Sequence, residues 1–224
     1  LVGDLDILEL AIRLVEDCAR LLDVAAAGLL LADPGGVLHL LAATSEQARS
    51  LEVFQLQREE GPCLDCFHTG LAVSVADHSD EAQRWPRFAD IAAHEGFASV
   101  HAIPMRLHDQ VLGALNLFGE QPGNLDADDR TLAQALAHVA TIALVRQNQD
   151  LTEASVLPGL QAAVASRAAL EMAKGVLAEV LSIDPEQAFG RLRAYAHERG
   201  QHLAAVANTV VHGAPTARIT LFAE

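Results

Sequence analysis

The amino-acid sequence predicts an α+β fold, in which an N-terminal domain with an antiparallel sheet flanked by helices is joined by a long helix to an all-α three-helix bundle. Up to residue 118, many apolar residues occur in short strand-like runs separated by turns. From residue 127 onward, they recur at the three- and four-residue spacing of amphipathic helices. Pro158 and Gly159 interrupt that pattern, so we expect a domain boundary near them.

The composition indicates two modest domains with aliphatic cores. Of the 224 residues, 51% are hydrophobic and 4% are aromatic, and this length allows two domains to bury cores without disulfides or metals. We expect an α/β domain at 1–150, a helical module at 151–213 and a tail at 214–224. No apolar run reaches the ~18 residues of a membrane span. The acidic start and the three cysteines favour a reducing cytoplasm without membrane contact.

The first domain is expected to begin with an amphipathic helix, because apolar residues from Leu5 to Leu22 fall at helical spacing. Two apolar runs, separated by the turn sequence Asp-Pro-Gly-Gly, predict a hairpin of strands at 26–32 and 37–44. Residues 59–70 fit neither a helix nor a strand pattern. The next predicted elements are a short strand at 72–75, then a loop and a short helix within 81–96 that ends at Gly96. Two strands joined by a polar turn follow at 99–105 and 111–118.

A long helix is predicted from residue 127 to residue 157, with Asp126 as its N-cap. Three helical patterns follow and predict a compact bundle. The second pattern begins at Asp184, because Pro185 and Gln187 occupy the positions that favour a capped helix start. The apolar stripes of the three helices are Leu170, Ala173, Leu177 and Leu181; Phe189, Leu192 and Ala196; and Leu203, Val206, Ala207 and Val210.

Charge is distributed unevenly along the chain. The formal net charge is −15, and residues 1–150 contain 9 Lys and Arg against 23 Asp and Glu, whereas residues 151–224 contain 6 against 7. An acidic domain repels phosphate backbones, so we expect any nucleic-acid contact to involve the second half. The near-neutral charge there disfavours tight, sequence-independent binding to DNA.

Two segments resemble known families. Residues 166–211 resemble the ANTAR family of RNA-binding antitermination modules through Ala173-Lys174-Gly175, Ala188-Phe189, Leu192-Arg193, Ala196 and Val206-Ala207. Residues 5–146 are similar to GAF domains through Gly-Pro-Cys at 61–63, Arg-Trp-Pro-Arg-Phe at 84–88 and the run at 111–118. The resemblance implies a GAF–ANTAR transcription antitermination regulator of the actinobacterial type. Its C-terminal helices would bind paired hairpins in nascent RNA, usually as a homodimer, under control of a small-molecule or protein signal.

The candidate RNA-binding residues are Arg167, Lys174, Gly175 and Arg193. Arg167 and Lys174 are seven residues apart, so they share one flank of a helix, and both residue types can hold phosphates and base edges of an RNA loop. Gly175 in mid-helix needs a reason, which either helix packing or RNA access would supply. The alternative for the cations is a solvated helix face. Tyr195 is a candidate for base stacking, although core packing is the more common role.

Cys63 and Cys66 form the one pattern in the first domain that suggests chemistry. A CxxC can form a reversible disulfide, and some GAF-like domains reduce methionine sulfoxide with pocket cysteines, so a redox sensor and an enzyme both stay open. Zinc is not expected, because the chain has no second CxxC and no residue at ligand spacing. We assign no role to His39, His101 or His138, and we expect no cofactor and no enzymatic activity.

We therefore predict a binding regulator whose ligand pocket lies between the sheet and residues 59–100. A signal there would shift the helix at 127–157 and change how two RNA-binding modules are held. DNA binding by a helix-turn-helix is the other alternative, which the absence of a basic recognition helix disfavours. The helix could pair with a second copy or pack on its own sheet. The predicted dimer seam consists of Leu132, Leu136, Val139, Ala143 and Leu151.

Overall fold

A computed structural model describes residues 7–33, 35–146 and 153–213. The chain divides into two compact units, one of residues 1–10 with 162–224 and one of residues 11–161. The helices and strands, in chain order, are α1 (Ile7–Leu21), β1 (Ala26–Ala32), β2 (Leu38–Ala43), α2 (Glu46–Arg58), α3 (Pro62–Thr69), β3 (Val73–Val75), α4 (Pro86–His94), β4 (Ser99–Leu107), β5 (Gln110–Gly119), α5 (Ala127–Arg146), α6 (Glu153–Leu181), α7 (Pro185–Glu198) and α8 (Leu203–His212).

The larger unit contains an antiparallel sheet in the order β2-β1-β5-β4-β3. This confirms the predicted sheet flanked by helices. Every residue of β1 is buried, because both faces of a central strand are covered. In the register of β1 and β5, Gly28 lies opposite Asn116 and Leu29 lies opposite Leu115. Gly113 allows β5 to approach β1 closely, since a Cβ there would overlap the carbonyl of Leu30.

Helices α2, α3 and α4 contribute to the core on one face of the sheet. Phe88 of α4 and Leu51 of α2 pack in one buried cluster with Phe118 of β5. A second buried cluster joins Cys63 and Cys66 of α3 to aliphatic residues of β1, β2, β4 and β5. Alternate residues of a strand point to opposite faces of the sheet. The strand residues in these two clusters therefore belong to the face that α2 and α3 cover.

The chain has two helices in this unit that the sequence patterns did not predict. In α2, the buried residues include Glu52 and Gln55, so the helix lacks the apolar stripe on which the periodicity argument depends. Ser45 caps it by accepting a hydrogen bond from the amide of Ala48, at 3.1 Å. Helix α3 begins at Pro62 and is flanked by Gly61 and Gly70. The glycines and the proline, which suggested a loop, are the residues at the two ends of a short helix.

Helix α5 begins as predicted, with the Asp126 Oδ1 atom accepting a hydrogen bond from the Asp129 amide at 2.8 Å. The structure describes α5 up to Arg146 and α6 from Glu153, so the part of the predicted helix at 127–157 that lies between them is outside the described residues. Helix α6 also continues through Pro158. A proline near the start of a long helix removes one backbone hydrogen bond, and the following turns are sufficient to maintain the helix.

The C-terminal bundle follows the predicted pattern closely. The Asp184 carboxylate accepts from the Gln187 amide at 2.7 Å, and the Gln187 side chain accepts from the Asp184 amide at 3.4 Å. These two bonds form the expected capping box of α7. Leu181 and Phe189 are only partly buried. The other predicted core residues of the bundle are all buried: Leu170, Ala173, Leu177, Leu192, Ala196, Leu203, Val206, Ala207 and Val210.

Candidate functional site

Arg167 and Lys174 lie on the same face of α6, with Glu171 between them. The Nη2 atom of Arg167 is 2.5 Å from Glu171 Oε1, and the Nζ atom of Lys174 is 3.3 Å from Glu171 Oε2. The side chains of Arg167 and Lys174 are only 11% and 8% exposed. One carboxylate therefore pairs with two cations in a largely buried position. Lys174 is also the only lysine of the chain.

Gly175 follows Lys174 and is exposed. A Cβ at this position would meet no atom within 4 Å in the part of the chain that the structure describes. Packing against a described neighbour therefore does not explain the glycine. Of the two reasons that the sequence left open, access for a binding partner is the one that this surface favours.

Arg193 of α7 also has an acidic partner. Its Nε atom lies 3.5 Å from Glu9 Oε1, and both residues belong to the smaller unit. Both side chains are partly exposed, so the pair contributes little to stability. The three cations that the sequence selected are thus all held by carboxylates in this conformation.

Arg199, which the sequence analysis did not select, lies at the end of α7 and is exposed. Its Cζ atom is 4.7 Å from the ring centroid of Tyr195, one helical turn earlier. Tyr195 is partly buried, so one part of its ring packs in the bundle while the guanidinium group of Arg199 lies over it at the surface. The spacing of four residues places Tyr195 and Arg199 on one face of a helix, and this spacing could have indicated the pair from the sequence.

The larger unit contains a buried polar cluster under α2. The Asn116 Nδ2 atom donates to Glu52 Oε1 at 2.7 Å, and the Gln55 Nε2 atom donates to Glu52 Oε2 at 3.0 Å. All three side chains are fully buried. Burial raises the pKa of Glu52 to about 8, against the effect of the two amide hydrogen bonds. Gly28 provides the room, since a Cβ there would overlap the Glu52 carboxyl group.

Cys63 and Cys66 adjoin this cluster and are fully buried free thiols. Burial, with a further contribution from Glu52, raises the pKa of Cys63 well above its usual value. Burial also raises the pKa of Cys66 to about 12. The thiolate is the reactive form of cysteine, so this environment disfavours redox chemistry. The redox role of Cys63 and Cys66 stays a prediction.

A cavity of about 390 Å³ lies between β2, the end of α2 and α3. Leu38, Leu56, Leu64 and Phe67 supply much of its apolar lining, and Glu59 and His68 add polar groups. It lies partly within the predicted region, because its α3 residues belong to the segment 59–100. The middle of the same sheet face is filled by Glu52 and its amide partners.

The histidines that were left without a role have ordinary partners or surroundings. The Nε2 atom of His39 is 2.9 Å from Asp33 Oδ2, and the Nδ1 atom of His101 is 3.1 Å from Ser74 Oγ. Burial lowers the pKa of His101, which favours its neutral form. His138 is exposed on α5. Within the described residues, no group of three or more His, Cys, Asp or Glu side chains could hold a metal ion.

Helix α5 presents two different faces. Ala133, Ala137 and Ala140 are buried, and the helix packs against β4. On the other side, Leu132, Val139 and Ile142 are exposed. The sequence had selected the first two of these, whereas Ile142 is an addition; Leu136 and Ala143 are partly buried, and Leu151 lies outside the described residues. The apolar outer stripe is compatible with a helix partner.

Comparisons with known families agree with both resemblances. The chain matches the family model of the GAF domain over residues 4–145 and that of the ANTAR domain over residues 159–211. No curated protein matches the chain. In the described part, no helix has the length and hydropathy needed to cross a membrane.

Several solved structures share the fold of the larger unit. The GAF domain of a phosphoenolpyruvate-protein phosphotransferase from Acinetobacter is 18% identical, with a TM-score of 0.52 over 66% of this chain and 89% of that chain. A domain of a two-component sensor histidine kinase protein from Sinorhizobium meliloti is 15% identical, with a TM-score of 0.52 over 62% and 90%. The GAF domain of a phosphoenolpyruvate-protein phosphotransferase from Coxiella burnetii is 15% identical, with a TM-score of 0.50 over 63% and 84%. At these identities, the likeness concerns the fold alone.

Proposed function

Because this chain belongs to the GAF domain family and has the GAF–ANTAR architecture of antitermination regulators, we propose that its ANTAR module binds hairpin loops in nascent RNA. In general terms, the chain is a signal-responsive antitermination regulator. The finer proposal is that a homodimer binds two hairpins and that the GAF domain controls how the two modules are held. The observation that carries this proposal is the ANTAR match at 159–211, which covers α7, all but the last residue of α8 and most of α6.

We propose Arg167, Lys174, Gly175 and Arg193 as the RNA-binding residues. Lys174 and Arg167 form a charged group beside the bare backbone of Gly175, which leaves room for a phosphate or a base edge. The RNA would compete with Glu171 and Glu9 for these cations. An RNA phosphate and a carboxylate accept hydrogen bonds from the same cationic donors. RNA can therefore replace the carboxylates as the partner of these cations, and its affinity should depend on salt concentration.

The homodimer is proposed to form along the exposed stripe of α5. Leu132 and Val139 are seven residues apart and therefore lie on one side of the helix. A second copy of α5 would cover these side chains by the symmetric pairing that is common in homodimers. Movement of α5, which packs against β4, is the proposed link between the GAF domain and the RNA-binding modules.

The remaining parts of the proposal concern location and signal. We propose a cytoplasmic protein without enzymatic activity or a cofactor, with domains at 1–150 and 151–213 and a tail at 214–224. The signal is a small molecule or a protein acting on the GAF domain. Turnover of methionine sulfoxide by the purified protein, lost in Cys63→Ser, would instead support the enzyme alternative.

Binding to a library of two-hairpin RNAs tests the proposal, with double-stranded DNA as the competing ligand. We expect selective enrichment of loop sequences and weaker binding by Lys174→Ala. The slope of log affinity against log salt concentration should decrease in this variant by about the amount that one phosphate contact contributes. Arg58→Ala, at the exposed last residue of α2, is the control for loss of one positive charge. Absence of RNA binding by the unmodified chain, or equal weakening by Arg58→Ala, would contradict this assignment.

A further inference from the structure

We propose that Tyr195 and Arg199 form a stacking platform for an unpaired RNA base at the end of α7. This inference rests on the proposed function, because it identifies a second contact region of the same RNA-binding module. The ligand that it implies is a single-stranded nucleotide in a loop, since the bases of a duplex are already stacked on each other.

The guanidinium carbon of Arg199 lies over the Tyr195 ring, 4.7 Å from the ring centroid, which is within the range of a cation–π interaction. Tyr195 is partly buried in the bundle, whereas Arg199 is exposed. A base can therefore stack on the guanidinium group of Arg199, whose position the Tyr195 ring already restricts. This restriction reduces the side-chain entropy lost on binding.

The charge environment separates Arg199 from the other candidate cations. Arg167 and Lys174 share the Glu171 carboxylate, and Arg193 pairs with Glu9. Among the described residues, Arg199 makes no ion pair, and its side chain contacts the Tyr195 ring. RNA can contact Arg199 without displacing a carboxylate, so this contact does not incur the cost of breaking an ion pair.

The turn after α7 adds further polar groups beside the platform. Gly200 has a φ of 59°, which reverses the chain between α7 and α8. Gln201 and His202 in this turn are exposed. His202 is the N-cap residue of α8, yet its side chain makes no capping hydrogen bond. A guanidinium, an amide and an imidazole are thus available at one turn to stack on a base or to donate to a phosphate.

Arg199→Lys is the decisive variant, because it keeps the positive charge and removes the planar group at an exposed position. The test uses the full chain and a hairpin RNA selected by the unmodified protein, with 2-aminopurine placed in turn at each loop position. We expect one position at which fluorescence is quenched on binding to the unmodified chain. Arg199→Lys should lose most of this quenching and bind about five- to tenfold more weakly, in keeping with the loss of one base stack.

Tyr195→Leu provides a second variant, and thermal unfolding followed by circular dichroism shows whether it remains folded. Arg58→Lys in α2 is the matched control, and it should bind and quench like the unmodified chain. If the unmodified chain binds RNA while Arg199→Lys retains both affinity and quenching, the platform is refuted and the proposed function stands. If the unmodified chain binds no RNA, the proposed function fails, and this inference fails with it.

Discussion

The two compact units bury charged side chains by different means. In the larger unit, Glu52 lies fully buried with two amide partners, and burial raises its pKa to about 8. In the smaller unit, Lys174 is buried beside the Glu171 carboxylate, which also holds Arg167. Glu52 avoids a buried negative charge by keeping its proton, whereas the positive charge of Lys174 is compensated by the Glu171 carboxylate. We therefore expect pH to change mainly the stability of the larger unit, and loss of the Glu171 carboxylate to change mainly the stability of the smaller unit.

The largest expected effect is the dependence of sensor stability on pH. Because the folded state holds the Glu52 proton more tightly than the unfolded state, this stabilisation is complete below the unfolded pKa of 4.5 and is lost as pH rises through about 8. A shift of this size corresponds to several kcal/mol, on the order of 4 kcal/mol, between pH 5 and pH 9. Glu52→Gln should remove most of this dependence, as measured by urea unfolding at pH 5, 7 and 9.

Glu120→Gln is the matched control for that experiment, because Glu120 is exposed after β5. It should retain the pH dependence of the unmodified chain. Equal pH dependence in Glu52→Gln and in the unmodified chain would mean that Glu52 is not the titrating group.

A smaller effect is expected from removal of the shared carboxylate in the RNA-binding unit. Glu171→Gln removes the carboxylate that Arg167 and Lys174 share in a largely buried position, and should lower the free energy of unfolding by about 1–2 kcal/mol. Urea unfolding monitored by far-ultraviolet circular dichroism measures this change. Glu179→Gln, on the exposed side of the same helix, should change stability by only a few tenths of a kcal/mol. An equal loss in both variants would argue against the shared ion pair.

The smallest effect is expected at Gly175, and Gly28 in the larger unit provides a contrast of opposite sign. Gly175→Ala should stabilise the chain by about 0.5–1 kcal/mol, because alanine favours a helix and no described atom obstructs its methyl group. Gly28→Ala should instead destabilise the sensor, since the added methyl group would displace the Glu52 carboxyl group. Thermal unfolding of the two variants gives the signs of the changes. Loss of stability in Gly175→Ala would show that a neighbour packs on that position.

Local patterns predicted most of the elements, because the relevant signals lie close together in the sequence. The capping box at Asp184 and the cap at Asp126 were confirmed, and so were the strand runs around β1 and β5. Helix α2 was not predicted, since Glu52 and Gln55 occupy buried positions where the periodicity argument requires apolar residues. A polar residue can take such a position when other groups supply its hydrogen bonds. Asn116 of β5 donates to Glu52, and the Cys63 amide of α3 donates to Gln55.

For the candidate site, the sequence selected cations by residue type and by family resemblance. It could not show that Glu171 and Glu9 hold them, because surface charge depends on which side chains meet after folding. It considered Tyr195 without Arg199, although their spacing places both on one face of α7.

The amino-acid sequence by itself determined the order of the predicted sheet and helical regions, the acidic character of the first half and the two family resemblances. These properties depend on residue type and on spacing over a few turns or strands. The tertiary structure decided which buried polar groups are satisfied, which cations are paired and where Arg199 remains exposed. Glu52 and Asn116 are 64 residues apart and meet only when α2 packs on β5, so no local pattern contains the information that joins them.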